Sequence, residues 1–125
     1  MKEKLEKLGI EQFQRIKDKD DIQSILWTFL LEKSILKNQL ICRLKNLRIQ
    51  FSQSRFFQEH EVIGSSLLVI HDGFSKLGVW MIDFAKTVPL PLGVAIDHRT
   101  PWRQGNHEDG YLFGLDNLIS MMDTL

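Results

Sequence analysis

The sequence predicts an α+β fold in which helices come first, an antiparallel hairpin follows, and a helix closes the chain. Three observations predict it. Apolar residues recur at helical spacing up to about residue 50. Two strand-like runs are then joined by a His-Asp-Gly turn sequence, and a second helical stripe occupies the end of the chain. A sheet this small needs further strands or helices to cover it.

Composition narrows the possible classes of protein. The 125 residues are enough for one small domain or for part of a larger one. A formal net charge of zero argues against broad nucleic-acid binding and against general attraction to acidic membranes. The lone Cys42 excludes an internal disulfide and indicates a reducing compartment. No apolar stretch is long enough to span a bilayer, and the Lys/Glu-rich start is unlike a signal peptide, so we expect a cytoplasmic protein.

The amino-terminal residues 1–50 form the predicted helical segment. A loosely helical pattern in residues 1–20 has its apolar positions at Leu5, Leu8, Ile10, Phe13 and Ile16. A helix capped by Asp20 or Asp21 follows. Its stripe is Ile22, Ile25, Leu26, Phe29 and Leu30, and the stripe of the next helix is Ile35, Leu36, Leu40, Leu44 and Leu47. The opposite face of that second helix is basic, and we expect it to be solvated, with phosphate contact as the alternative. Its basic residues are Lys37, Arg43, Lys45 and Arg48.

The pattern changes at Phe51 and becomes strand-like. Residues 62–70 predict a buried strand with a tight backbone approach at Gly64, and residues 79–84 predict its antiparallel partner. Prolines and glycines mark irregular chain after the hairpin. The last helix is predicted to be capped by Asn106, with Asp109 three residues later. Its buried stripe is Tyr111, Leu112, Leu115, Leu118, Ile119 and Met122.

Residues 79–87 deliver a single carboxylate, Asp83, to a strand end. A carboxylate in that place can hold a magnesium ion against nucleotide phosphates. By spacing alone the alternative stays open that Asp83 caps a turn.

Several separate blocks of sequence resemble those of one known protein family. They are Phe56 with Phe57, residues 60–68 (HEVIGSSLL), 79–84 (VWMIDF), Pro101 with Trp102, Gly105 with Asn106, 108–112 (EDGYL) and 114–118 (GLDNL). In this order and at these spacings the blocks resemble the inositol polyphosphate kinase family, most closely its inositol-trisphosphate 3-kinases. Trp80 and the block of residues 106–117 favour the 3-kinase branch, whereas Ala85 in place of the usual Gly leans the other way.

The resemblance implies the carboxy-terminal part of a protein-kinase-like inositol phosphate kinase fold, with residues 51–125 as the catalytic-lobe segment of one incomplete domain. It implies phosphoryl transfer from ATP, with Mg²⁺, to the 3-hydroxyl of inositol 1,4,5-trisphosphate. Asp83 matches the metal-binding Asp of the family's Ile-Asp-Phe motif, and Ser66 matches the hydroxyl that helps hold the metal and nucleotide. Lys86 is positioned to contact a substrate phosphate, with a solvated surface Lys as the alternative. For Ser66 the alternative is a plain hydrogen bond at the strand end.

The sequence also departs from the family. The Pro-x-x-x-Asp-x-Lys-x-Gly motif, which handles the attacking hydroxyl, is absent, so no catalytic residue is assigned. The lobe with the nucleotide-gripping Lys is absent too, Gly78 stands where Lys is common, and His107 stands where Arg is common. Two alternatives therefore remain: a non-catalytic regulatory or interaction fragment, and another branch of the same family. Calmodulin control would act only through segments outside this sequence.

The remaining residues are expected to have structural roles. We expect Trp80 and Trp102 in the core together with Tyr111. His98 and Arg99 are expected to be structural or solvated, with contact to an anionic substrate as the alternative. Glu108 and Asp109 are expected to stabilise the positive end of the last helix.

Overall fold

A computed structural model describes residues 18–125, so the helical pattern predicted before residue 18 lies outside the described residues. The helices are α1 (Lys19–Phe29), α2 (Ser34–Gln53), the single-turn α3 (Arg55–Gln58) and the closing α4 (Tyr111–Asp123). Between α3 and α4 lie β1 (His60–Glu61), β2 (Ser66–His71), β3 (Leu77–Ile82) and β4 (Val88–Pro89). The strands pair antiparallel, β1 with β4 and β2 with β3, which confirms the α+β class.

Helix α1 begins earlier than predicted. The side chain of Asp18, rather than that of Asp20 or Asp21, caps the helix by accepting the backbone N–H of Asp20 at 2.8 Å. Asp20 and Asp21 instead lie in the first turn. There a negative charge interacts favourably with the exposed N–H groups at the positive end of the helix.

Helix α2 is the centre of the core and packs against both β3 and α4. Its fully buried residues are Leu36, Leu40, Leu44 and Phe51. The helix continues to Gln53, past the predicted change at Phe51, because Phe51 extends the buried stripe by a further turn. Ile35 was expected in that stripe, but 51% of it is exposed. On the opposite face Arg43 and Lys45 are exposed, as predicted for a solvated face. Lys37 and Arg48 are instead half-buried and donate to the Leu125 carbonyl and to Asp116.

Truncating Leu44 to Ala is expected to lower the free energy of unfolding by about 2–5 kcal/mol, because the side chain has no exposed surface and its loss leaves a cavity. Urea unfolding followed by circular dichroism measures this. Ile35→Ala on the same helix is the matched control and should change stability by less than about 1 kcal/mol. Equal losses in the two variants would contradict this description of the α2 face.

The hairpin formed by β2 and β3 is covered on one side only. Its register runs from Ser66 opposite Ile82 to His71 opposite Leu77. The inner residues Leu67, Val69, Leu77, Val79 and Met81 pack on the core. The outer residues Leu68, Ile70, Trp80 and Ile82 are exposed. The strands predicted to be buried are therefore half-buried.

The two tryptophans expected in the core are on the surface. Trp80 is 50% exposed because side chains alternate along a strand, and Val79 and Met81 take the inner face. Trp102, in the irregular chain, is 68% exposed. Tyr111 is partly buried as expected and stacks on Phe51 with ring centroids 4.7 Å apart.

Helix α4 begins at Tyr111, so the predicted cap at Asn106 is wrong. Gly110 occupies the cap position in a left-handed conformation and offers no side-chain acceptor. The carbonyl of His98 accepts the N–H groups of Leu112 and Phe113 instead, at 2.9 and 3.2 Å. The first N–H groups of a helix need acceptors, and here a neighbouring loop supplies them. The predicted stripe is confirmed, with Leu112, Leu115, Ile119 and Met122 all buried.

No helix within residues 18–125 has the length and apolar character needed to cross a membrane.

Candidate functional site

Two of the predicted site residues lie at the open end of the hairpin. Ser66 is the first residue of β2 and pairs with Ile82, the last residue of β3. Asp83 follows Ile82 directly, so the pairing register places Ser66 beside the residue that precedes Asp83. Both residues are exposed. The hairpin thus brings a hydroxyl and a carboxylate to one edge, as the antiparallel pairing predicted.

The backbone of Asp83 is in the left-handed region, with φ of 69°. Asp is one of the few non-glycine residues that tolerates this conformation, which ends β3 abruptly. Within residues 18–125, no donor or cation engages the Asp83 carboxylate. The Asp83 side chain is exposed and therefore accessible to a ligand.

Lys86 lies at the same end of the hairpin. The turn that contains it is closed by the Thr87 N–H, which donates to the carbonyl of Phe84 at 3.0 Å. A Cβ placed on Gly64 would lie 3.4 Å from Lys86 Cδ, so the Lys86 stem passes over the backbone two residues before Ser66. This is ordinary contact with a flexible side chain, so Gly64 is required by its φ of 69° rather than by the tight backbone approach predicted there. Lys86 itself is exposed, which suits contact with a phosphate.

The donor atoms at this end fit Mg²⁺ in company with a nucleotide. Magnesium is usually held by one or two carboxylates while phosphate oxygens and waters complete its coordination. Asp83 supplies one carboxylate and Ser66 one hydroxyl, both open to the outside. In the described part of the chain, no three His, Cys, Asp or Glu side chains gather as a self-sufficient metal site. The residues therefore suit a metal that arrives with phosphates.

A buried polar cluster forms the other notable site, and sequence reasoning missed it. His98 is buried with φ of 62°, and its Nδ1 lies 2.7 Å from Asp109 Oδ2. Its Nε2 donates to the carbonyl of Phe57 at 2.7 Å. Asp109 Oδ2 also accepts the N–H of Val62 at 2.8 Å, and its Oδ1 accepts that of Tyr111 at 3.0 Å.

Glu108 completes the cluster by accepting the N–H of His98 at 2.9 Å and that of Asp97 at 3.1 Å. We had expected Glu108 and Asp109 to stabilise the start of the last helix. Asp109 does so through Tyr111, whereas Glu108 holds the loop that carries His98. The structural role expected for His98 is confirmed. No local spacing signals the pairing of His98 with Asp109, because the two lie eleven positions apart in irregular chain.

Gly78, where the family commonly has Lys, is covered by the indole of Trp80. A Cβ added to Gly78 would lie 2.3 Å from the Trp80 Cη2 atom, so any side chain there displaces the ring. We expect Gly78→Ala to shift the Trp80 fluorescence emission to longer wavelength, since the displaced ring meets more water. The measurement uses a background in which Trp27 and Trp102 are replaced by Phe. Gly114→Ala is the control, because nothing lies within 4 Å of its new Cβ; an unchanged spectrum in Gly78→Ala would contradict the packing.

With this geometry in place, a comparison with protein-family models decides the family: the inositol polyphosphate kinase model matches residues 5–123. The chain belongs to the inositol polyphosphate kinase family. This confirms the resemblance carried by the sequence blocks.

Comparison with curated members of the family shows what share of their length the match to this chain covers. It is 44% identical over 113 residues to mouse inositol-trisphosphate 3-kinase A, covering 90% of this chain and 25% of the mouse protein. The Caenorhabditis elegans inositol-trisphosphate 3-kinase homolog is 43% identical over 116 residues, or 92% of this chain and 23% of the worm protein. Human inositol-trisphosphate 3-kinase B is 56% identical over 83 residues, or 66% of this chain and 9% of the human protein. The chain thus spans a quarter or less of the length of these relatives.

Proposed function

We propose that the chain is the metal- and nucleotide-binding carboxy-terminal part of an ATP-dependent inositol phosphate kinase, which phosphorylates inositol 1,4,5-trisphosphate at the 3-hydroxyl. The single observation that carries the proposal is the exposed Asp83, which directly follows Ile82, the pairing partner of Ser66, at the open end of the hairpin. The similarity to inositol-trisphosphate 3-kinases supports the substrate. In this proposal residues 1–50 are a helical segment and residues 51–125 the catalytic-lobe segment of one cytoplasmic domain.

The proposed chemistry depends on positioning and electrostatics. Asp83 and Ser66 would hold the Mg²⁺ that accompanies ATP, and the ion would neutralise negative charge that develops on the phosphates during transfer. The Lys86 ammonium, a compact point charge on a flexible stem, would bind a phosphate of the inositol substrate. Asp83 is exposed and lies just past the last residue of β3, so binding there would need no rearrangement of the strand.

A chimera tests the proposal. This chain replaces the matching 113-residue segment of mouse inositol-trisphosphate 3-kinase A, and the purified chimera is assayed with ATP and inositol 1,4,5-trisphosphate. We expect transfer to the 3-hydroxyl, identified by chromatography of the product. The unmodified mouse enzyme is the control for the assay.

Two other outcomes of the same assay favour the alternatives. A clear preference for more highly phosphorylated inositols would indicate another branch of the family. A folded chimera that transfers no phosphate would favour the regulatory or interaction fragment.

A further inference from the structure

The buried His98–Asp109 pair holds both ends of one short segment, residues 57–62. His98 Nε2 binds the carbonyl of Phe57 at the start of this segment, and Asp109 Oδ2 binds the N–H of Val62 at its end. Because the two side chains also bind each other at 2.7 Å, the segment is fixed to a single buried cluster.

The same segment holds the chain as it leaves the Asp83 turn. Strand β1 lies within it and pairs with β4, which begins directly after Thr87. The N–H of Leu90 donates to the carbonyl of Glu59 at 2.8 Å, which adds a further hydrogen bond between residues 57–62 and the chain after the Asp83 turn. The ring of Phe84 lies 6.3 Å from that of Phe57. The chain that follows Asp83 therefore packs on and pairs with residues 57–62.

We propose that His98 is a positioning residue for Asp83: the charged pair that it forms with Asp109 fixes residues 57–62, and these fix the exit of the Asp83 turn. The inference deepens the proposed function and rests on it for the role of Asp83. His98 does not touch the turn itself, and its effect passes through Phe57 and the β1–β4 pairing.

The hydrogen bonds of His98 require the charged imidazolium, because both ring nitrogens face acceptors. Burial alone disfavours this charge, but the bonds to Asp109 and to the Phe57 carbonyl, with the charges of Asp109 and Glu108, outweigh burial and raise the pKa of His98 above 6.5. The ionisable groups around the pair are Asp97, Arg99, Glu108, Asp109 and Tyr111. From α2 the ring of Phe51 meets the imidazole edge-on, and from α3 the backbone carbonyl of Phe57 accepts its Nε2–H.

The sign of the pH dependence follows. A histidine whose pKa is raised in the folded chain contributes stability that is complete below the unfolded value and is lost as pH rises through the folded value. Loss of the His98 proton removes one of its two ring bonds. Residues 57–62 and the exit of the Asp83 turn should then open more often.

Amide hydrogen exchange on the whole chain tests the inference. Protection factors, which divide out the intrinsic pH dependence of exchange, are measured from about pH 6 to about pH 9. We expect protection in residues 57–62 and 83–90 to fall about ten- to a hundredfold as His98 loses its proton. His98→Asn should show the low protection at every pH, because Asn tolerates the left-handed backbone but bridges neither partner.

His71→Asn is the matched control at the opposite end of the hairpin. His71 donates from Nε2 to the carbonyl of Phe29 at 2.8 Å and accepts the Gly73 N–H at Nδ1, so it too bridges two elements. This variant should lower protection around residues 71–76 and leave residues 83–90 unchanged. If the protection of residues 83–90 changes neither with pH nor in His98→Asn, the inference is overturned. If His98→Asn does not fold, the wild-type pH series decides, since a uniform loss across the chain also overturns it.

A separate measurement distinguishes failure of this inference from failure of the proposed function. Binding of Mn²⁺ in the presence of ATP is followed by electron paramagnetic resonance in wild type, His98→Asn and Asp83→Asn. Weaker binding in both variants supports the two proposals together. Equal binding in Asp83→Asn and wild type would remove the metal role of Asp83, while the exchange data would still decide whether His98 orders the turn.

Discussion

Asp83→Asn in the chimera is expected to lower kcat/KM by about a hundred- to a thousandfold, or about 3–4 kcal/mol of transition-state stabilisation. The substitution removes the charge that would hold the metal beside the ATP phosphates. It should change the free energy of unfolding by less than about 1 kcal/mol, because the side chain is exposed and Asn also tolerates the left-handed backbone. Steady-state kinetics and urea unfolding measure the two quantities.

Asp123→Asn is the matched control for charge, since Asp123 is an exposed carboxylate at the end of α4, far along the chain from the hairpin. It should leave kcat/KM within about twofold of the unsubstituted chimera. Near-normal turnover in Asp83→Asn would remove this residue from the mechanism, even if the family assignment stands.

The arrangement of the hairpin end was predictable because it depends on local pattern. Strand periodicity and the turn sequence after His71 together determine which residues face one another. The Asp72 side chain then closes the turn by accepting the N–H groups of Phe74, Ser75 and Lys76. A residue at the start of one arm must meet the end of the other, so Ser66 comes beside the end of β3 next to Asp83.

Features that depend on distant parts of the chain were not predictable in this way. Asn106 followed by Asp109 has the spacing of a capping box, but Asn106 does not cap α4: the His98 carbonyl and the Asp109 carboxylate accept the N–H groups of its first turn. The Trp80 side chain was placed in the core on its size, whereas the pleat of β3 turns it outward. In both cases the local sequence allows more than one arrangement, and tertiary packing determines which one forms.

Asp109→Asn is expected to lower the free energy of unfolding by about 3–5 kcal/mol at neutral pH. Its carboxylate side chain is 1% exposed and accepts bonds from His98, Val62 and Tyr111. The neutral amide cannot compensate the buried imidazolium, and its NH₂ group places donors where two acceptor oxygens stood. The measurement is urea unfolding followed by circular dichroism.

Asp116→Asn is the control, because Asp116 also carries two partners but at the surface. It binds Arg99 at 2.7 Å and Arg48 at 3.2 Å, with about a third of its side chain exposed. Solvent screens such pairs, so the loss should stay below about 1 kcal/mol. Equal losses for the two variants would show that burial of the His98–Asp109 pair contributes nothing beyond a surface pair.

Urea unfolding of wild type and Asp109→Asn at several pH values distinguishes the loss of the Asp109 charge from the change in side-chain shape. Burial alone raises the pKa of Asp109, but the bonds from His98, Tyr111 and Val62 outweigh burial, and the net pKa lies below 3.8. A carboxyl group lowered in this way contributes stability that is present above its unfolded pKa and is lost as pH falls through its folded value. His98 sets the upper pH limit of this stability, because its pKa is raised. Wild type should therefore be most stable between these two pKa values. Asp109→Asn should lose the acid limit because no carboxyl remains at this position, and its alkaline limit should weaken because only the charge of Glu108 then favours the proton on His98.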